Sequence, residues 1–166
     1  PTYDIYMVVN NAPADIQTDV LFGTLGDPSL WDPETGNIVA VDGSHYSFDL
    51  ATKYTKVQGL TVNGWSSVFV VIKRPSMSIG PKDLVLNPPV VDLGKTIKVG
   101  LNVTNSGKAL APQVNIKIFD DDPNEGGKQI GSTETVTIAP GTSQHFDVNW
   151  DTKAAPGFHN VTAVVC

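Results

Sequence analysis

The chain has 166 residues, enough for one large domain or two small ones, and its 40% hydrophobic content suffices for a packed core. Only 17% of the residues are charged and the formal net charge is -6, so the chain lacks the basic face that nucleic-acid binding requires. No apolar run approaches the ~20 residues that span a bilayer. No signal peptide is visible, so we expect any export signal either to have been removed or never to have been included. The single cysteine, Cys166, excludes an internal disulfide.

Hydrophobic patterning predicts an all-β protein. No window of eleven or more residues has apolar positions at helical spacing, and 15 glycines and 12 prolines interrupt the chain too often for long helices. Apolar and polar residues instead alternate in short segments bounded by turn residues, as in sandwiches and barrels. The sequence therefore predicts two immunoglobulin-like or jelly-roll β-sandwich domains in tandem.

Residues 1–74 are predicted to form an N-terminal β-sandwich domain. The continuous apolar run at 68–72 is typical of a central strand covered on both faces. Between Gly23 and Gly43 the chain is expected to make a long, turn-rich excursion. The first strand alternates, and its apolar members are Tyr3, Ile5, Met7 and Val9.

Residues 75–82 carry proline and glycine at both ends and are predicted to be a linker. The second domain then spans 83–166. The alternative is one large jelly roll in which this stretch is only a crossover.

Alternation is clearest in the second half. Successive side chains point to opposite faces of a strand, so each apolar set must line an inner surface. These sets are Ile97, Val99, Leu101 and Val103; Val114, Ile116 and Ile118; Phe146, Val148 and Trp150; and Val161, Ala163 and Val165. Six or seven half-buried strands in this length indicate a two-sheet sandwich of the immunoglobulin type.

The same stretch carries motifs in a characteristic order. These are the strand and turn at 99–107, the acidic turn at 119–127, the strand at 146–150, and Pro156-Gly157 before the last strand. On these motifs, residues 83–165 resemble a CARDB domain, the cell-adhesion-related, immunoglobulin-like module of bacterial and archaeal surface proteins. The resemblance implies display or adhesion outside the cell rather than catalysis. Residues 1–74 carry no family resemblance that we recognise.

An N-terminal domain of this size without disulfides is marginal, because it buries only ~60% of its unfolded surface. Packing on the second domain would stabilise it. A strand supplied by a neighbouring copy, paired at an open sheet edge, would do the same. The strand from Tyr3 to Val9 is the natural donor, because it is terminal, alternating and followed by the loop 10–14.

Two acidic loops are candidates for calcium, which takes six to eight oxygen ligands. The first contains Asp120, Asp121, Asp122, Asn124 and Glu125. The second contains Asp27, Asp32, Glu34 and Asn37. Neither loop follows EF-hand spacing, and an ordinary hydrated turn would use the same residue types for backbone reasons.

The sequence predicts no enzyme and no catalytic residue. His45, His145 and His159 are scattered, without metal-ligand spacing, and the latter two are predicted at outward-facing strand positions. There is no nucleophile elbow and no phosphate-cradling glycine loop. Each acidic cluster lies in a loop with no evident cleft.

Aromatic residues leave a second function open. Trp150 alternates with core residues, whereas Trp31 and Trp65 lie in turn-rich contexts and could be exposed. Exposed tryptophans stack on sugars, so the alternative is a non-catalytic carbohydrate-binding module of a larger secreted protein.

Two Asn-Val-Thr sequons, at Asn102 and Asn160, are predicted on solvent faces and are candidate glycosylation sites. They would be used only by an exported protein in an organism that has the transferase.

These patterns together predict an extracellular structural or adhesive subunit of a cell-surface filament or surface layer. Its expected partners are copies of itself, joined through strand edges, with surface glycans or other surface proteins as further candidates. Calcium is the one cofactor that the residues suggest.

Overall fold

The computed structural model describes residues 3–154 and 156–166. Strands make up 59% of the structure, and the described residues form no α-helix. The strands are β1 Tyr3–Asn10, β2 Ile16–Phe22, β3 Asp27–Trp31, β4 Ile38–Ala40, β5 Tyr46–Asp49, β6 Tyr54–Val62, β7 Ser66–Lys73, β8 Met77–Ser78, β9 Leu84–Asn87, β10 Thr96–Asn105, β11 Ala111–Asp120, β12 Lys128–Ile138, β13 Ser143–Asp151 and β14 Val161–Val165. Single 3-10 turns lie at 43–45, 123–125 and 152–154. The all-β prediction is confirmed.

The chain divides into two compact units. The first comprises Pro1–Ser76 with Gly107–Ala111, and the second comprises Met77–Ser106 with Pro112–Cys166. The segment predicted as a linker contains β8, which pairs with the end of β10 at Thr104 and Asn105. The boundaries 1–74 and 83–166, and their description as tandem domains, stay predictions.

The first unit packs two sheets against each other. Its four-stranded sheet has the order β1-β7-β3-β4, and its three-stranded sheet has the order β2-β6-β5. Val70 and Ile72 of the first sheet meet Phe22, Leu60 and Val62 of the second in one buried cluster. β7 lies between β1 and β3, so the central strand predicted from the apolar run at 68–72 is confirmed.

The turn-rich excursion predicted between Gly23 and Gly43 is wrong in part, because it contains the antiparallel hairpin β3–β4. Pro28 lies within β3, is buried, and sits opposite Ile72 of β7. Its carbonyl accepts a hydrogen bond from the backbone of Val41. A proline inside a strand argues against a strand on sequence grounds, and β4 is only three residues long, so no alternation marks the pair.

The second unit also has two sheets. One has the order β13-β10-β8, with β9 also paired to β10, and the other has the order β12-β11-β14. Val99, Leu101 and Val103 of β10 are fully buried. Ile116 and Ile118 of β11 expose no more than 5% of their surface. These predicted inward-facing sets are confirmed. The sets on β13 and β14 are only half-buried.

Within the described residues, no helix has the length and apolar character needed to cross a membrane.

Candidate functional site

The outward face of β1 is apolar. Tyr3, Ile5, Met7 and Val9 expose between 50% and 60% of their surface. The alternate residues point inward, where Tyr6 and Val8 pack on the buried cluster. β1 is an edge strand, paired with β7 over eight residues from Tyr3↔Lys73 to Asn10↔Ser66. An exposed apolar edge strand is unusual, because such edges promote pairing with another chain.

The apolar character continues across the outer face of the same sheet. Met7 lies opposite Phe69 of β7, which lies opposite Trp31 of β3, which lies opposite Ile38 of β4. The rings of Phe69 and Trp31 meet edge to face with 5.4 Å between centroids. Ile38 at the far edge is exposed. One apolar row therefore crosses all four strands.

Trp65 extends the exposed stripe of β1. It lies in the tight turn between β6 and β7 with a left-handed backbone (φ 53°) and is 72% exposed. Its backbone nitrogen donates to the Ala12 carbonyl at 2.9 Å. Together with Met7 and Val9 it borders a shallow groove.

The first acidic loop divides into two parts. Asp122 begins the 3-10 turn, and its Oδ1 accepts from the Asn124 backbone at 2.8 Å and from the Asn124 side chain at 3.1 Å. Glu125 is exposed within that turn. Asp120 and Asp121 instead face His159, and the ligand atoms of the three residues lie within 4.8 Å of one another.

His159 was missed as a member of this group. Its Nδ1 lies 2.7 Å from Asp120 Oδ1, and the two side chains are 20% and 17% exposed. The outward-facing position predicted for His159 is wrong, because the residue precedes β14 and turns inward against Trp150, with ring centroids 5.5 Å apart. No local pattern could reveal this pairing, since its partners are 39 residues apart. Whether this loop holds calcium stays a prediction.

The second acidic loop is not one cluster. Asp27 begins β3 and accepts a hydrogen bond from the Tyr46 hydroxyl at 3.3 Å. Asp32 directly follows the same strand and organises the hairpin loop, where Thr35 Oγ1 donates to its Oδ2 at 2.7 Å. The Thr35 hydroxyl, and then the Glu34 backbone, hold the pKa of Asp32 below its ordinary value. Glu34 and Asn37 are exposed in this loop.

His145 lies exposed on β13, as predicted. Its Nδ1 lies 2.7 Å from Oδ1 of Asn102, the first sequon residue, on β10. Its Nε2 lies 3.1 Å from Asp147, which also accepts from Lys98 at 2.9 Å. Lys98 first, and His145 after it, hold the pKa of Asp147 below its ordinary value. Asn160, the second sequon residue, is exposed in the segment before β14.

An apolar cavity of about 320 Å³ lies in the second unit. Its walls include Leu86 of β9, Ile97 of β10, Trp150 of β13, Val161 of β14, and Phe158 and His159 from the preceding segment. Trp150 is therefore half-buried beside this cavity rather than enclosed in the core. No sequence pattern indicates the cavity, because its walls come from five separated segments.

These strands and sheets define an all-β protein whose C-terminal part is an immunoglobulin-like sandwich. The chain belongs to the CARDB family, whose model matches residues 75–165. The family resemblance drawn from residues 83–165 is thus confirmed, and the match begins eight residues earlier, within the predicted linker. CARDB modules occur in bacterial surface and extracellular proteins.

Two solved structures are similar to parts of the chain. The solution structure of GmR58A from Geobacter metallireducens is 29% identical, with a TM-score of 0.43, over 52% of this chain and 76% of that one. The crystal structure of a protein assigned as a beta-galactosidase from Bacteroides fragilis is 10% identical, with a TM-score of 0.33, over 99% of this chain and 32% of that one. No curated protein matches the chain significantly.

Proposed function

We propose that this protein is a non-catalytic, extracellular structural or adhesive subunit that joins copies of itself through the exposed edge of β1. The observation that carries the proposal is the apolar stripe Tyr3, Ile5, Met7 and Val9 on an edge strand. Soluble proteins normally protect such edges with charges, prolines or bulges. Asp4 is the one charged residue of β1, and it lies on the other face of the strand.

Two modes of assembly use this strand. In edge addition, β1 stays paired with β7 and offers its outer backbone edge to a neighbouring copy. Among the described residues, no strand pairs with that edge. In strand donation, β1 leaves β7 and pairs within the neighbour's sheet, as in donor-strand complementation. The membership of the CARDB family supports a surface location for either mode.

The two faces of β1 supply a matched pair of variants. Met7→Ser changes an exposed side chain, so we expect normal folding but loss of ordered fibres in negative-stain images and of large species in light scattering. Val8→Ala changes a side chain that packs on the core, so we expect the free energy of unfolding to fall by about 1 kcal/mol while assembly persists. Native protein that stays monomeric at every concentration would contradict the proposal.

A disulfide separates the two modes. Removing residues 1–12 should abolish both, whereas a copy carrying a disulfide between β1 and β7 can assemble only by edge addition. Tyr6→Cys with Val70→Cys places the pair at directly opposed positions of the ladder. Fibres that form only after reduction indicate strand donation, and fibres that form in both states indicate edge addition.

A second candidate function is carbohydrate binding, which the exposure of Trp65 favours. A binding module is expected to stay monomeric and to be retained on a polysaccharide column. Trp65→Ala would then lose retention, whereas Trp31→Phe, at a ring already packed on Phe69, would retain it.

A further inference from the structure

The cavity of the second unit is apolar and open to solvent on one side. Its walls are mainly aliphatic and aromatic side chains, with Thr152 and His159 among them. Three large exposed apolar residues, Val90, Leu93 and Phe158, also border it. Pockets of this kind bind ligands by enclosing apolar groups, with few polar contacts to orient them. A cavity of about 320 Å³ has room for one large planar aromatic side chain.

The first unit presents such a side chain on a backbone that is held in place. The turn that carries Trp65 is tied down on both sides. The Asn10 side chain donates to the Asn63 carbonyl at 3.2 Å, and the Trp65 backbone donates to the Ala12 carbonyl at 2.9 Å. Trp65 is therefore exposed on a turn whose backbone is held by hydrogen bonds. A pre-organised aromatic residue loses little conformational entropy on binding, which is why tryptophan is enriched among residues that dominate interface energies.

We propose that Trp65 of one copy inserts into the second-unit cavity of another copy. This inference rests on the proposed self-assembly and names the contact that orients it. Met7 and Val9, which border the groove beside Trp65, would then cover the exposed rim of the cavity.

Charge favours this pair of surfaces. The chain has a formal net charge of -6, so two copies repel each other wherever carboxylates meet. The residues that line the cavity include no Asp, Glu, Lys or Arg, and neither do those that border the groove beside Trp65. These two patches can approach without bringing carboxylates together.

The two patches by themselves are smaller than the ~1,200 Å² that specific interfaces bury as a minimum. Docking of Trp65 therefore needs backbone pairing along the edge of β1 beside it. Val161, which lines the cavity, begins β14, itself an edge strand of its sheet.

Trp65 and the cavity are different surfaces, so the contact is heterologous. Each copy carries one tryptophan and one cavity, and a heterologous contact extends indefinitely unless its rotation closes a ring. The inference therefore predicts head-to-tail assembly, which gives a fibre where the rotation stays open and a closed ring where it does not.

The first test compares three proteins by sedimentation and negative-stain microscopy. We expect Trp65→Ala to weaken association on the order of 30-fold, as for a dominant interface residue. Leu21→Ala is the control, because Leu21 is also well exposed, at 63%, but lies on β2 of the other sheet of the first unit. This variant should assemble as the native protein does. Assembly of the native protein with undiminished assembly of Trp65→Ala would overturn this inference and leave the proposed function intact. Absence of assembly by the native protein would overturn both.

The second test uses complementation. Val90→Lys places a charge at the exposed rim of the cavity, so it should block docking without unfolding the second unit. Trp65→Ala and Val90→Lys should each be monomeric alone at concentrations where the native protein just assembles. Mixed together they should form dimers and nothing larger, because the first retains its cavity and the second retains its tryptophan. A mixture that stays monomeric, or that forms fibres, would contradict a head-to-tail contact through these two surfaces.

Discussion

The Nδ1 atom of His159 lies 2.7 Å from Oδ1 of Asp120. Asp120 is the last residue of β11, and His159 lies just before β14. A carboxylate only accepts hydrogen bonds, so Nδ1 carries the proton of this contact. The Asp121 backbone nitrogen also donates to the Asn160 carbonyl at 2.6 Å. Side-chain and backbone bonds together therefore fix the segment before β14 to the end of β11.

Asp120→Ala should destabilise the second unit. The change leaves the largely buried His159 Nδ1 without its acceptor, which costs about 1–3 kcal/mol. The measurement is the free energy of unfolding in urea. Glu125→Ala is the matched control, because it removes the same charge from an exposed position in the same loop, and it should stay within about 0.5 kcal/mol of the native value. Equal effects of the two changes would contradict a structural role for the Asp120–His159 pair.

Calcium at the first acidic loop should raise the melting temperature, because an ion that binds only the folded chain stabilises it by mass action. Chelator should lower the melting temperature, and Asp121→Asn should remove the difference between the melting temperatures with and without calcium. Asparagine is suitable because it accommodates the left-handed backbone at this position (φ 69°). Zinc belongs in the same titration, since imidazole nitrogen suits transition metals more than calcium. A melting temperature that no cation or chelator changes would contradict a metal site here.

Acid should weaken the native protein partly through Asp147. Lys98, 2.9 Å away, holds the folded-state pKa of this carboxyl below its unfolded value of about 3.9. A lowered folded pKa gives stability that is present above the unfolded pKa and lost as the pH falls through the folded pKa. Asp147→Asn should therefore be less stable than the native protein at neutral pH, and the difference should vanish in strong acid. Unfolding curves across this range, with Glu134→Gln as control, measure the effect; a difference that is independent of pH would contradict it.

Thr55→Val should destabilise the first unit although it preserves shape. The fully buried Thr55 hydroxyl donates to the Thr24 carbonyl at 2.7 Å and accepts from the Gly26 backbone at 3.1 Å. Valine leaves both backbone groups unpaired, at about 1–3 kcal/mol. Thr61→Val makes the same chemical change at an exposed position of the same strand, β6, and should have little effect. Chemical unfolding distinguishes the two, and equal stability would show that water replaces the lost bonds.

Much of the fold could be predicted because burial imposes a simple rule on strands. The apolar alternation at 97–103 and the continuous run at 68–72 both follow directly from the number of faces that each strand buries. The hairpin β3–β4 escaped prediction, since Pro28 and a three-residue partner strand conceal it. Alternation also cannot say which face is inward: on β1 the more apolar set faces outward, because Tyr6 and Val8 suffice to cover the core.

The candidate sites were less predictable than the fold. Asp120 and Asp121 were expected to work with their sequence neighbours Asp122 and Asn124, but the neighbours satisfy each other within a 3-10 turn. The partner of Asp120 is His159, which tertiary structure alone brings near. The cavity beside Trp150 likewise depends on side chains from segments far apart in the chain.

The antiparallel register of β1 and β7 has a mechanical consequence. Tyr3, at the start of the first strand, is paired with Lys73, at the end of the strand that leaves the first unit. A force applied to these two ends loads the β1–β7 ladder at its terminal pair. The backbone hydrogen bonds of the ladder then break one after another. Shear, in which all the bonds resist together, requires the load at opposite ends. Under tension along the chain, the first unit would therefore peel from its N-terminal strand at low force, releasing the same stripe that is available for pairing with a neighbour.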